Sequence, residues 1–409
     1  MVPDERESVT VRILLGTGSR DEEARVSGVA HFLEHFVFKG TKAFPKMFDI
    51  TEAIEKMGGV YNAYTGEDTM GFWVKMGKEN LSVAVKILGQ MMGEALLPEK
   101  HFNKERGTVL EELKMYEDHP VSKAEWELMA TIFGRESSLG RPIIGTTESL
   151  KRMKTDDLRQ IMESWFVKEN MLIGIVGNFS EKKFLEMLEK EFKAVWERKN
   201  KLIERNKYVW KKQTKPQVSL VKRSDLKQAN LALGFRGIKW THPSRYALNQ
   251  ASLILGQSSI SRLFKEIREK RGWAYSIGSL ISKFADVGMV EVGGGLPKDK
   301  LGEAVNLILE IVYGLGGENK WRITEKELDK AKVCSLGRYS LSCDESDNIL
   351  SWALHDWYFE GKIHAPEEIR EKIKEVKLEE VQEICRQVFR PENLSLAVVG
   401  DYEKLPFSL

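Results

Sequence analysis

His31, Glu34 and His35 stand in the order His-x-x-Glu-His within VSGVAHFLEHFVFKGT (26–41). On a helix, side chains four apart leave one face a turn apart, so the two imidazoles can share one divalent ion. Nitrogen donors of this kind suit zinc, bound at about 2.0–2.1 Å. Glu34 lies on the same side, placed to take a proton from metal-bound water; this is the reverse of the commoner zinc-protease order. The plainer reading is a solvated polar face beside a core stripe, because Val29, Phe32, Leu33, Phe36 and Val37 follow helical spacing next to it. The chain has only seven histidines, which makes the full pattern rare by chance and favours the metal reading.

Catalytic zinc usually takes three protein ligands and leaves one position open. A candidate third ligand lies in NKERGTVLEELKMYED (103–118), a helical segment with Val109, Leu113 and Tyr116 as its apolar stripe. Glu105 and Glu112 are seven apart, nearly two turns, and share a face from which Glu111 points away. If one carboxylate completes the site, Glu112 is the geometric choice and Glu105 becomes its outer neighbour. A solvated acidic face is the alternative that these residues leave open.

The elements that must hold these groups repeat along the chain. KENMLIGIVGN (168–178) returns as PENLSLAVVGD (391–401), and each run reads as a buried strand after a helix. A weaker echo pairs EKMGGVYNAY (55–64) with EKRGWAYSIG (269–278). Strands are expected near 9–16, 70–76, 170–177, 217–222 and 229–235. Helices are expected near 24–38, 48–58, 80–93, 101–117 and 180–195. With a hairpin-like stretch at 60–76, the pattern predicts an α+β chain of two similar halves rather than a doubly wound sheet. The expected division is 1–197, a charged linker at 198–216, and 217–409. The second half has no His-x-x-Glu-His, and its copy of that motif is expected around SSISRLF (258–264). LGTGSRDE (15–22) and VGGGLPKDK (292–300) lack the residues that complete nucleotide-binding loops and read as turns.

Composition narrows the partners. A chain of 409 residues with 42% hydrophobic and 30% charged residues is an ordinary globular sequence. A net charge of +2, with no basic patch interleaved with aromatics, argues against nucleic acid. No apolar run reaches transmembrane length, and MVPDERESV lacks the features of a signal peptide. Cys334, Cys343 and Cys385 form no metal-ligand spacing and are expected to be buried and unpaired in a reducing cytoplasm.

Taken together, HFLEHFVFKGT and ERGTVLEELKMYEDHP resemble the pitrilysin-type zinc peptidases, the inverzincins of family M16. The resemblance extends through GSRDE (18–22), NAYT (62–65), GRPIIGTTESL (140–150) and both Val-Gly strand ends, and is strongest to the short bacterial and archaeal branch of processing-peptidase-like enzymes. It implies two homologous half-domains, each a mixed, largely antiparallel sheet flanked by helices. It implies one Zn²⁺ held by His31, His35 and Glu112, Glu34 as general base and Glu105 as a supporting group of the site. It also implies that Arg268 and Tyr275 reach the substrate backbone, and that Asn62 and Ala63 lie on an edge strand to which an extended peptide adds. The activity implied is endopeptidase cleavage of small unfolded peptides in an enclosed chamber, by a homodimer with no membrane or nucleic-acid partner. Non-catalytic peptide-binding subunits and hetero-oligomeric processing peptidases are the alternatives within this resemblance. Relatives start with an extra strand ahead of the SVTVRILLGTGS segment, so an incomplete sheet edge is expected here.

Overall fold

A computed structural model describes residues 1–199, 205 and 207–409, so linker residues 200–204 and 206 lie outside the described residues. Ten strands form two five-stranded sheets. The first contains β1 (Val2–Pro3), β2 (Ser8–Leu15), β3 (Val60–Thr65), β4 (Met70–Gly77) and β5 (Met171–Gly177), in the order β1-β5-β2-β4-β3. The second contains β6 (Gln217–Lys222), β7 (Gln228–Arg236), β8 (Ile277–Lys283), β9 (Gly288–Pro297) and β10 (Leu394–Gly400), in the order β6-β10-β7-β9-β8. The two orders are the same strand for strand. In each sheet only the pair at the β1 or β6 edge is parallel, as expected of two similar α+β halves.

The sheets differ at that edge. β6 runs beside β10 over six residues, whereas β1 meets β5 only at Val2↔Val176 and Pro3↔Gly177.

The helical segments follow the expected ones closely: α1 (Val29–Phe36), α2 (Asp49–Glu55), α3 (Leu81–Gly93) and α4 (Glu99–Asp118). The single helix expected over 24–38 is broken, however. A 3₁₀ turn at Ala24–Val26 precedes α1, and Gly28 between them has φ +90°. A Cβ there would stand 2.3 Å from the Ile144 carbonyl oxygen, so only glycine fits. Gly145 mirrors it, at φ +86° with its own would-be Cβ 2.3 Å from the Ser27 carbonyl oxygen.

The chain divides into two compact units that do not follow one cut along the sequence. The first comprises Met1–Lys114, Pro142–Asn206 and Leu341–Ile363, and the second Met115–Arg141, Lys207–Ser340 and His364–Leu409. In the first unit the helix Ser346–Glu360 covers a face of β5 and β2. Buried polar residues of β2 find partners there: the Thr10 and Ser346 hydroxyls lie 2.7 Å apart, and Arg12 Nη1 donates to the Asp347 carbonyl at 3.2 Å. In the second unit α5 (Pro120–Phe133) covers the matching face of β10, β7 and β6, with Ala124, Leu128 and Ile132 against Ala232, Ala397 and Val399. Each sheet therefore carries, on one face, a helix from the other half of the sequence.

No helix among the described residues is long and apolar enough to cross a membrane. The three cysteines are unpaired, but only Cys385 is buried. Cys334 and Cys343 are half-exposed, on the helix Glu325–Ser342 and just past its end. That helix buries only Leu328 and Ala331, so the expectation of three buried thiols fails for two of them.

Candidate metal centre

Helix α1 is held at its start by an acid. Glu22 is buried, and its carboxylate accepts the backbone N–H groups of Gly28 and Ala30 at 2.7 and 2.8 Å, where a helix N-terminus favours negative charge. Ser149 adds a bond from its hydroxyl to the Ser27 carbonyl at 2.7 Å. The GSRDE and GRPIIGTTESL segments thus set the entry of α1. Its stripe Val29, Phe32, Leu33 and Phe36, with Val37 after it, is fully buried. His31, Glu34 and His35 are left on the half-exposed side.

Helix α4 brings Glu112 to that side. One donor atom from each of His31, His35 and Glu112 lies within 4.8 Å of the others. His31 Nε2 stands 3.7 Å from Glu112 Oε1, and His35 Nε2 stands 3.6 Å from Glu112 Oε2. These separations are too long for hydrogen bonds. They are close to the roughly 3.4 Å between neighbouring ligands on a tetrahedral ion with bonds of about 2.1 Å. Burial, with the neighbouring His35, pulls the His31 pKa down to about 4, which keeps its imidazole neutral and able to ligate. The donor set and its spacing fit zinc.

Glu105 is the outer neighbour. Its carboxylate lies 3.3 Å from His35 Nδ1 and 3.1 Å from Lys39 Nζ. A proton on His35 Nδ1 donated to Glu105 leaves Nε2 facing the cluster. Burial alone would raise the Glu105 pKa, but His35 and Lys39 outweigh it and hold the group ionised. For His35 burial opposes protonation, yet the bond to Glu105 and the charges of Glu112 and Glu34 raise its pKa. Glu34 is raised by burial, opposed by a hydrogen bond from Thr65.

Glu34 and His35 open onto a cavity of about 390 Å³ that Asn62 and Ala63 of β3 also line. Phe38, Met47, Phe48 and Tyr61 make its wall mostly apolar. Arg268 and Tyr275 belong to the second unit and meet each other there. Arg268 lies in a turn of π-helix, Phe264–Glu269. Its guanidinium sits 4.6 Å from the Phe264 ring centre and 5.2 Å from that of Tyr275, which is 84% exposed.

The expected counterpart of the metal motif at 258–264 is displaced. In the second unit the helix that follows β7, as α1 follows β2, is Arg245–Leu255. Its buried Gln250 accepts a hydrogen bond from Ser335 at 3.1 Å. Ser335 lies on Glu325–Ser342, which follows Leu301–Gly314 as α4 follows α3. The corresponding pair of helices in the second unit is thus linked by an amide and a hydroxyl. Among the described residues, His31, His35 and Glu112 form the one cluster of this kind. Residue type and spacing alone assign no role to Thr65, Lys39 or Glu22. Each sits inside one of the segments HFLEHFVFKGT, GSRDE and NAYT, but no spacing rule ties a hydroxyl at 65 to a carboxylate at 34.

Comparisons with known proteins agree in both halves. Residues 3–147 match the family model described as insulinase (peptidase family M16), and residues 152–333 match the peptidase M16 inactive domain. An uncharacterized zinc protease of Bacillus subtilis, YmxG, is 33% identical over 98% of this chain and 94% of its own length. An uncharacterized zinc protease of Mycobacterium leprae is 31% identical over 97% of this chain and 87% of its own length. Among solved structures, a protease from Helicobacter pylori superposes with a TM-score of 0.89 at 23% identity, covering 97% of this chain and 95% of the other.

Proposed function

The chain belongs to peptidase family M16, the insulinase family, and from that premise we propose that it is a zinc-dependent endopeptidase acting on short unfolded peptides. The observation that carries the reading is the convergence of His31, His35 and Glu112, with His35 and the neighbouring Glu34 opening onto a cavity.

In this reading His31, His35 and Glu112 hold Zn²⁺, which when bound polarises the scissile carbonyl and makes a water molecule more acidic. Glu34 accepts the proton of the attacking water and passes it to the leaving amine. Glu105 keeps His35 in the tautomer that presents Nε2. Asn62 and Ala63 lie on β3, the outermost strand of its sheet, whose free edge can pair with an extended peptide through backbone hydrogen bonds. Such pairing reads extended shape more than sequence. Arg268 and Tyr275 are assigned to the substrate backbone and the developing oxyanion, which the exposure of Tyr275 supports. The domain beginning at 217 is assigned to substrate binding, the assembly to a homodimer and the setting to the cytoplasm; sedimentation tests the dimer.

The deciding experiment is digestion of a mixed pool of short unfolded peptides by wild type and Glu34→Gln, with zinc content measured on both. Zinc should be retained in the variant and turnover should fall by roughly 10²–10⁴-fold. A variant within a few-fold of wild type removes Glu34 from its role. A folded, zinc-loaded wild type that cleaves nothing points to a peptide-binding subunit instead.

A further inference from the structure

The Glu34 carboxylate has one hydrogen-bond partner among the described residues: Thr65 Oγ1 donates to its Oε2 at 2.6 Å. That length falls in the range of strong bonds from a hydroxyl to a charged oxygen. We propose that Thr65 is a positioning residue that anchors one oxygen of Glu34 so that the other stays free to face the water it deprotonates. The proposal rests on the peptidase reading of the site.

Three features make Thr65 a rigid anchor. It closes β3, paired with Met70 of β4, and the turn beyond it is tied by Gly66 N–H to the Thr69 carbonyl at 2.8 Å. Its branched side chain has few rotamers. By strand alternation it shares a face with Ala63 and Tyr61, which line the same cavity as Glu34, and Tyr61 is itself fixed by a 2.9 Å hydroxyl contact with Thr51. Strand β3 therefore offers a backbone edge for peptide and, through its last side chain, holds the base. Removing the hydroxyl leaves the backbone edge intact, so the loss should fall on the chemical step and not on binding.

Thr65→Val keeps shape and strand preference, while Thr65→Ser keeps the donor. Thr65→Val should lower kcat by roughly 10- to 100-fold, with KM within about twofold and zinc content unchanged, and Thr65→Ser should recover most of the loss. Wild-type kcat in Thr65→Val, or a Thr65→Ser variant as slow as the valine one, overturns the proposal. Thr65→Ala serves if the valine variant does not fold. A second readout does not depend on turnover: the ¹³C carboxyl resonance of Glu34, assigned by its absence in Glu34→Gln. It should move in Thr65→Val and return in Thr65→Ser; an unmoved resonance refutes the anchor. If wild type cleaves no peptide, the peptidase reading falls and the resonance alone decides the anchor.

Discussion

Glu105 stands 3.3 Å from Nδ1 of His35, on the side of the ring away from the cluster, and seven residues before the carboxylate that enters it. One helix face therefore supplies two carboxylates with different tasks. Glu112→Gln should abolish tight zinc binding. Glu105→Gln should weaken it by about 10- to 100-fold, the usual cost of losing a partner behind a ligand. Competition against a chromophoric chelator measures both. Equal affinities for the two variants would show that the carboxylates share one role.

Gly28 ties the metal helix to the 140–150 segment by close backbone approach. Gly28→Ala places a Cβ 2.3 Å from the Ile144 carbonyl oxygen at φ +90°, and should cost roughly 2 kcal/mol or more. Urea denaturation reads the stability. Because α1 starts at this residue, zinc affinity should fall with it. Wild-type stability would mean that the two segments separate freely.

Glu291 of β9 gives the second unit a pH dependence. Burial first, and the charge of Glu125 second, push its pKa up to about 7, from an unfolded value near 4.3. Between those values the native state binds the extra proton. This stabilisation is complete below about pH 4.3 and is lost as pH rises through 7. Glu291→Gln should therefore be more stable than wild type near pH 8, by at most ~4 kcal/mol, and nearly equal to it near pH 4. Glu125, whose pKa burial also raises, will contribute in the same direction. A difference from wild type that stays constant with pH would contradict this.

Local order was legible from residue types alone. The apolar stripe of α1 and its polar neighbours follow from helical period, and the strands at 70–77 and 217–222 follow from short apolar runs bounded by turn residues. The repeat of 168–178 at 391–401 already implied two similar halves, and the two sheets share one strand order. The sequence also carried the pairing of Glu105 with Glu112 on one face, although by itself it left a solvated acidic face equally open.

Tertiary structure decided what no local period encodes. Glu112 lies 77 residues beyond His35 (112 minus 35), and only the packing of α1 and α4 within one unit makes its carboxylate converge on both imidazoles. The placement of α5 and of Ser346–Glu360 on sheets built mainly from the opposite half is equally non-local. So is the bond from Thr65 to Glu34, whose donor is one hydroxyl at the end of a strand. Periodicity tells which side of an element is apolar, because burial repeats with the backbone. It cannot tell which distant element covers that side, because that choice is made by shape and by the pairing of buried polar groups across the whole chain.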